Sequence, residues 1–214
     1  VSVVDGAVFA LLGLLLAFQF SAAASRLETR RTLAVREANA IGTAYLRLDL
    51  LGPEAALPMR TLFRENLEVR IRTLESAVDL SKALKAYQEA DALQQNIWSN
   101  VMIFSRDKPE AVPILLVTAV NEMIDVTAER KAAGLTHAPL TLQSYLIVLA
   151  MISAYLAGNA MSRSERLPKF HMAVFAAVIS VTIFMILDME YPRAGFIRIG
   201  AADQPTYDLR ELMK

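Results

Sequence analysis

The chain has 214 residues, 22 of them basic and 22 acidic, with 55% hydrophobic residues, no cysteine and two histidines. Its mean hydropathy of +0.37 is too apolar for an ordinary water-soluble domain. Balanced charge argues against a partner such as nucleic acid, whose phosphates need a basic face. Without cysteine there are no disulfides, thiolate metal sites or cysteine nucleophiles, and two histidines make a histidine metal cluster implausible.

Residues 3–20 form the first predicted element, an apolar run in which Asp5 is the only charge. A helix of about 20 apolar residues crosses the hydrocarbon core of a bilayer, so this run is a membrane span. It continues without proline or turn signal into the charged stretch RLETRR, and the helix is predicted to stop only at Gly52-Pro53. Amphipathic helices follow over 57–76, with Leu62, Leu67, Ile71 and Leu74 among the apolar members, and over 82–104 and 109–133, the last stopped by Gly134. Trp98 and Phe104 are expected in their core. Residues 140–161, opened by Pro139 and free of charge, form a second span. Residues 170–187 form a third, bounded by Pro168 and Lys169 on one side and Asp188, Glu190 and Pro192 on the other. Three such runs exceed what a core of this size can bury, and no alternating pattern suggests a strand. The fold class is therefore an all-α integral membrane protein whose transmembrane helices continue into a cytoplasmic helical bundle. The expected division is a span over 1–21, a cytoplasmic helical region over 22–136, spans over 137–161 and 168–189, and a cytoplasmic tail over 190–214.

Arg26, Arg30, Arg31 and Arg36 follow the first span closely, which by the positive-inside tendency puts the long helical region in the cytoplasm. Three spans put the tail, with Arg193 and Arg198, on the same side. The loop with Arg163, Arg166 and Lys169 then lies outside, against the same tendency. The sequence starts at Val1 instead of Met, which leaves room for one further membrane helix ahead of it.

At 100° per residue, Val3, Ala7, Ala10, Leu14, Phe18, Ser21 and Ser25 lie within about 40° of one line on the first helix. Past the membrane the same line carries Glu28, Thr32, Arg36, Asn39 and Thr43, while Asp5, Phe9, Leu12, Leu16, Gln19 and Ala23 face the opposite way. One reading of this seam is close packing of helices through small residues, with a solvated polar extension. The other is a ring of copies around an axis. Ala10, Leu14 and Phe18 then make a hydrophobic constriction, and Ser21, Ser25, Glu28, Thr32, Arg36 and Asn39 line a vestibule below it. Periodicity alone favours packing. Asp5 at the span's end reads as interfacial, and His137 and His171 read as interfacial residues instead of ligands. No Ser-His-Asp order, phosphate loop or carboxylate pair indicates an enzyme, and no cofactor is expected.

The spacing of Phe18 and Arg26, with Ala10 and Leu14 upstream, resembles the bestrophins, pentameric anion channels. In that family the second membrane helix carries three apolar neck residues four apart, then an Arg eight residues on. The stretch DMEYPRAGFIRIGAADQPTYDLREL is similar to the segment after their last span, through Glu190, Pro192, Gly195, Asp208 and Leu209. Together with EANAIGTAYLRLDLL it resembles, over nearly the whole chain, the bacterial bestrophin-like domain family, whose function is largely unassigned. The resemblance implies a four-helix membrane layout in which a helix ahead of Val1 is the first. It also implies a homo-oligomer, a pentamer, in a bacterial inner membrane, with the first helix of this sequence lining the axis and anions such as chloride as the permeant ion. Gln19 stands where the family often has Arg, Arg26-Leu27 replaces an Arg followed by paired Trp, and no calcium-binding acidic cluster is recognisable. The expected function is an oligomeric anion channel in the lipid bilayer. The alternatives are a non-conducting membrane-anchored scaffold and a cation channel of the same architecture.

Overall fold

The computed structural model describes residues 3–76, 79–162, 169–192, 195–197 and 199–214, and among them every regular element is helical. These are α1 (Val3–Leu46), a 3₁₀ turn (Arg47–Leu51), α2 (Pro53–Glu75), α3 (Leu80–Phe104), α4 (Ala111–Leu135), α5 (Leu140–Ser162), α6 (Lys169–Glu190) and α7 (Gly200–Leu212). Helices long and apolar enough to cross a membrane lie within Val3–Leu51, Ala111–Ser162 and Lys169–Glu190. The chain forms two compact units, one of Val1–Glu28 with Thr136–Ile197, the other of Thr29–Leu135 with Arg198–Lys214.

The first unit joins the start of α1 to α5 and α6. On α1 it buries Leu12, Leu16, Ala23 and Leu27, and on α5 Leu146, Leu149, Ala150 and Ser153, residues spaced three and four apart that form one stripe. Phe9 meets Phe175 edge to face with ring centroids 6.0 Å apart. Most other apolar side chains point outward, among them Leu140, Met151, Tyr155, Phe170 and Val178. Apolar surface on this scale, at about 25 cal/mol per Å² in water, requires a lipid environment or other apolar partners. The three spans are therefore membrane helices by surface as well as by length.

The second unit is built around Ile41, Leu48, Met59, Phe63, Leu67, Ile71, Ile97, Val101, Leu116, Val120 and Met123, all fully or almost fully buried. Trp98 and Phe104 pack at the margin of this core. Gly52, at φ 83°, supplies the left-handed turn and Pro53 opens α2, so the predicted stop is correct. The last turn before it tightens from α to 3₁₀ geometry. Helix α3 starts two residues earlier than expected because Asp79 caps it, accepting from the N–H groups of Ser81 at 3.1 Å and Lys82 at 3.2 Å. These hydrogen bonds, the Ser81 hydroxyl foremost, hold the Asp79 carboxyl at about 2. Helix α4 runs through Gly134 to Leu135. Helix α7, unforeseen in the tail, lies close to α1. A Cβ on Gly42 would come within 3.1 Å of the Leu209 side chain, so the glycine in EANAIGTAYL gives α7 its seat.

A charged cluster lies inside this unit. Glu37 on α1 is fully buried and receives Arg70 of α2 at 2.6 Å and Arg130 of α4, and Arg130 also binds Asp203 of α7. The Arg70 guanidinium stacks over Tyr87 of α3, 5.5 Å from the ring centre. Burial by itself would raise the Glu37 carboxyl, but the facing charges of Arg70 and Arg130 outweigh it and hold the group below the ordinary glutamate range. Two arginines against two carboxylates balance, and one network ties five helices together. Glu37→Ala leaves both guanidiniums buried with reduced compensation and is expected to lower stability by about 3–5 kcal/mol, read as a drop in the melting temperature of the detergent-solubilised protein. Because its folded pKa is depressed, the contribution of Glu37 is complete above the ordinary glutamate range and is lost as pH falls through the lowered folded value. Acid melting curves of wild type and Glu37→Ala are thus expected to converge at low pH.

Candidate functional site

The seam is uncovered along its whole length. In the first unit Val3, Ala7, Ala10, Leu14, Phe18, Ser21, Ser25 and Glu28 are all exposed, Leu14 by 53% and Phe18 by 62%. The residues on the other side, Leu12, Leu16 and Ala23, are 2%, 7% and 0% exposed. In the second unit Thr32, Arg36, Asn39 and Thr43 are exposed, while Ala34, Glu37, Ala38 and Ile41 are buried. The small and apolar seam residues Ala7, Ala10, Leu14 and Phe18 are thus exposed within one chain, so the seam is not buried as an intrachain packing surface there. Asp5 lies in the first turn of α1, off the seam, where a carboxylate suits the helix dipole.

Arg36 is engaged from outside its own helix. Its guanidinium donates to Glu129 at 3.2 Å and to Glu122 at 3.3 Å, both on α4, and all three side chains are about half exposed. These partners are on another helix, not at the local three- and four-residue spacings of α1, and the sequence carried no signal for them.

Behind the seam, the family-motif residues Arg26 and Glu190 meet. Arg26 Nε and Nη2 approach Glu190 Oε2 at 3.0 and 2.9 Å. Glu190 Oε1 accepts the backbone N–H of Ala138 at 2.5 Å and lies 3.7 Å from His137 Nδ1. The His137 ring stacks on Tyr191 with centroids 4.8 Å apart. Glu190, only 1% exposed, thus joins α1, the residues leading into α5 and the end of α6. A void of about 20 Å³ beside it is lined by Gln19, Gln143, Ala138 and apolar residues of α5 and α6. Gln19 is therefore turned inward beside the buried carboxylate and not toward the seam.

Asp188 is also buried, and its carboxylate accepts the N–H groups of Phe196 at 2.8 Å and Ile197 at 2.6 Å. It folds the segment after α6 back on itself. Gly195 is required there because a Cβ would overlap the Asp188 carboxylate. Pro192 is buried in the intervening turn. Asp208 does not join this group: it is exposed on α7 and accepts from Gln204 at 2.9 Å, and the buried acid of that helix is Asp203. His171 is exposed and touches the Phe170 ring. The flanking charges Arg163, Arg166, Arg193 and Arg198, with Pro168, lie outside the described residues.

An all-helical membrane protein with an acid-anchored base and an uncovered helix face is the class these features define. The model of the bestrophin-like domain matches residues 1–203, and the chain belongs to the bestrophin-like family. Its structure is similar to a crystal structure of a bacterial bestrophin homologue from Klebsiella pneumoniae carrying a point mutation, with a TM-score of 0.77 at 14% identity, covering 98% of this chain and 86% of that one. A second point mutant from the same organism gives a TM-score of 0.73 at 12% identity, covering 97% and 87%. A further crystal structure, described as a membrane protein mutant, gives 0.73 at 12% identity, covering 98% and 86%. No curated protein matches the chain.

Two substitutions test the base of the membrane unit. Arg26→Gln strands the buried Glu190 carboxylate and is expected to cost about 3 kcal/mol, seen as a lower melting temperature that Arg26→Lys restores in part. Gly195→Ala displaces Asp188 from its two backbone donors, with an expected loss of roughly 1–3 kcal/mol in the same measurement.

Proposed function

We propose that copies of the chain assemble around an axis lined by α1 and form an ion channel, with Ala10, Leu14 and Phe18 as the neck. Ser21, Ser25, Glu28, Thr32, Arg36 and Asn39 line the vestibule. The observation that carries this reading is the uncovered seam. An exposed apolar strip followed on the same helix by exposed polar residues suits a constriction followed by a hydrated passage. Family membership and the fold it shares with a bacterial bestrophin homologue support the same conclusion. In this reading the assembly is a pentamer in a bacterial inner membrane, with the second unit on the cytoplasmic side beside the arginines that follow the first span. A ring of Phe18 side chains narrows the path by bulk and by excluding water.

Anions such as chloride are the permeant ions that the resemblance to bestrophins supplies. The pairing of Arg36 with Glu122 and Glu129 favours a second reading. One guanidinium faced by two carboxylates leaves each copy one negative charge at that level, which concentrates cations in a vestibule.

Liposomes containing the purified protein are expected to pass ions, and Phe18→Ala to raise the flux several-fold by widening the neck. If neither protein conducts above empty vesicles, the channel reading fails and the scaffold reading replaces it. Reversal potentials under a potassium chloride gradient separate the two ion readings. If the acidic partners set selectivity, Glu122→Gln combined with Glu129→Gln shifts the potential toward anions.

A further inference from the structure

Helices α3 and α4 of the second unit flank a groove of about 790 Å³, within the volume range of small-molecule sites. The α4 wall is low because Ala128 and Ala132, one turn apart, are small and exposed there. Tyr87 lies at Gly134, where an added Cβ would sit 3.7 Å from its hydroxyl, and Lys131 Nζ binds Asp91 at 2.7 Å. The two helices are therefore antiparallel, and continuing this register sets Gln94 and Gln95 opposite Ala128 and Trp98 opposite Ile124. From Asp91 to Trp98 the groove runs about 10 Å along α3.

Its two ends differ in chemistry. At one, the partly buried Trp98 and Ile124 rest on the core and form an apolar wall, and an indole is a flat, rigid surface suited to stacking. At the other, Asp91 and Lys131 cancel each other's charge, and Lys131 also stands over the Tyr87 ring, 5.4 Å from its centre. Between them Gln94 is only 5% exposed, and its Nε2 has no hydrogen-bond partner among the described residues. A buried amide in that condition is unfavourable, and a ligand that supplies the partner gains the difference. A half-turn about the last side-chain bond exchanges the donor and acceptor ends of the amide, so it suits a ligand carrying either or both.

We propose that this groove binds a small, planar, uncharged aromatic molecule bearing an amide-like hydrogen-bonding edge. Its ring lies against Trp98 and Ile124 and over the methyl group of Ala128, and its polar edge pairs with the Gln94 amide. The Asp91–Lys131 pair selects against charge. A carboxylate there meets Asp91, an ammonium meets Lys131, and either disturbs an ion pair already formed. Every residue of the groove belongs to the second unit, so the proposal stands apart from the seam and from ion conduction.

Trp98 is the chain's only tryptophan, so its fluorescence reports on the groove alone. The detergent-solubilised full chain is titrated with benzamide, benzoate and benzylammonium, which share a ring and differ in charge. Benzamide is expected to change the emission saturably, and the two charged probes to bind several-fold more weakly. Gln94→Met keeps the bulk of the side chain without its amide and is expected to weaken benzamide binding several-fold. Ala128→Leu, at an exposed helix position where leucine is well accommodated, fills the slot and is expected to abolish the saturable change. It leaves Gln94 and the core in place, so it tests the site even where Gln94→Met fails to fold. A benzamide response that is linear, or that persists unchanged in either folded variant, would overturn the site. Equal or tighter binding of benzoate or benzylammonium would overturn its preference for uncharged ligands.

Discussion

Helix α1 has one covered face, and every other feature of the molecule is arranged around that fact. Its back carries Leu12, Leu16 and Ala23 in the membrane unit and Ala34, Glu37, Ala38 and Ile41 in the other, so the remaining helices of each unit have one surface to close on. Its front carries small, apolar or polar residues in succession and stays exposed, with Arg36 reached by two carboxylates of α4. A helix cannot change faces without a break, because residues three and four apart stay aligned along it. The 44 residues of α1 contain no proline.

Each unit closes on that back through a buried carboxylate held by arginine. Glu37 meets Arg70 and Arg130, and Glu190 meets Arg26. An isolated buried charge costs several kcal/mol, so these contacts work only as complete sets. That requirement gives them directional precision that apolar packing lacks. An apolar stripe tolerates sliding, whereas a carboxylate oxygen bound to a specific guanidinium or backbone N–H fixes register. In the membrane unit, Asp188 adds a second device of this kind by folding the chain after α6 onto its own backbone donors.

Span lengths, helix periodicity and the Gly52-Pro53 stop were legible because each depends on neighbouring residues, and the local physics of a helix in lipid or at an apolar surface suffices to decide them. Helix α7 was not, since TYDLREL is weakly apolar and gains its order from tertiary contacts such as that of Leu209 at Gly42. The motif residues divide in the same way. Arg26, Glu190, Pro192 and Gly195 could be singled out one by one, but their association across 164 positions of separation, as for Arg26 and Glu190, has no periodic signature. Asp188 reads as an ordinary charge ending a span and turns out to be the residue that makes Gly195 necessary. Asp208, picked out beside them, faces solvent, and Asp203 five residues earlier is the buried acid.

The sequence by itself determined that the chain is helical and membrane-embedded, and that its first helix carries a seam that passes from apolar to polar at Ser21. Composition and periodicity govern those properties directly. Only the tertiary structure decided which side of that helix its own chain covers and which acids are buried. It also decided that Arg36 is held between Glu122 and Glu129, and that Gln19 turns inward beside Glu190. These outcomes depend on residues distant in the chain, because a charge becomes structural only when the fold removes it from water and supplies its partner.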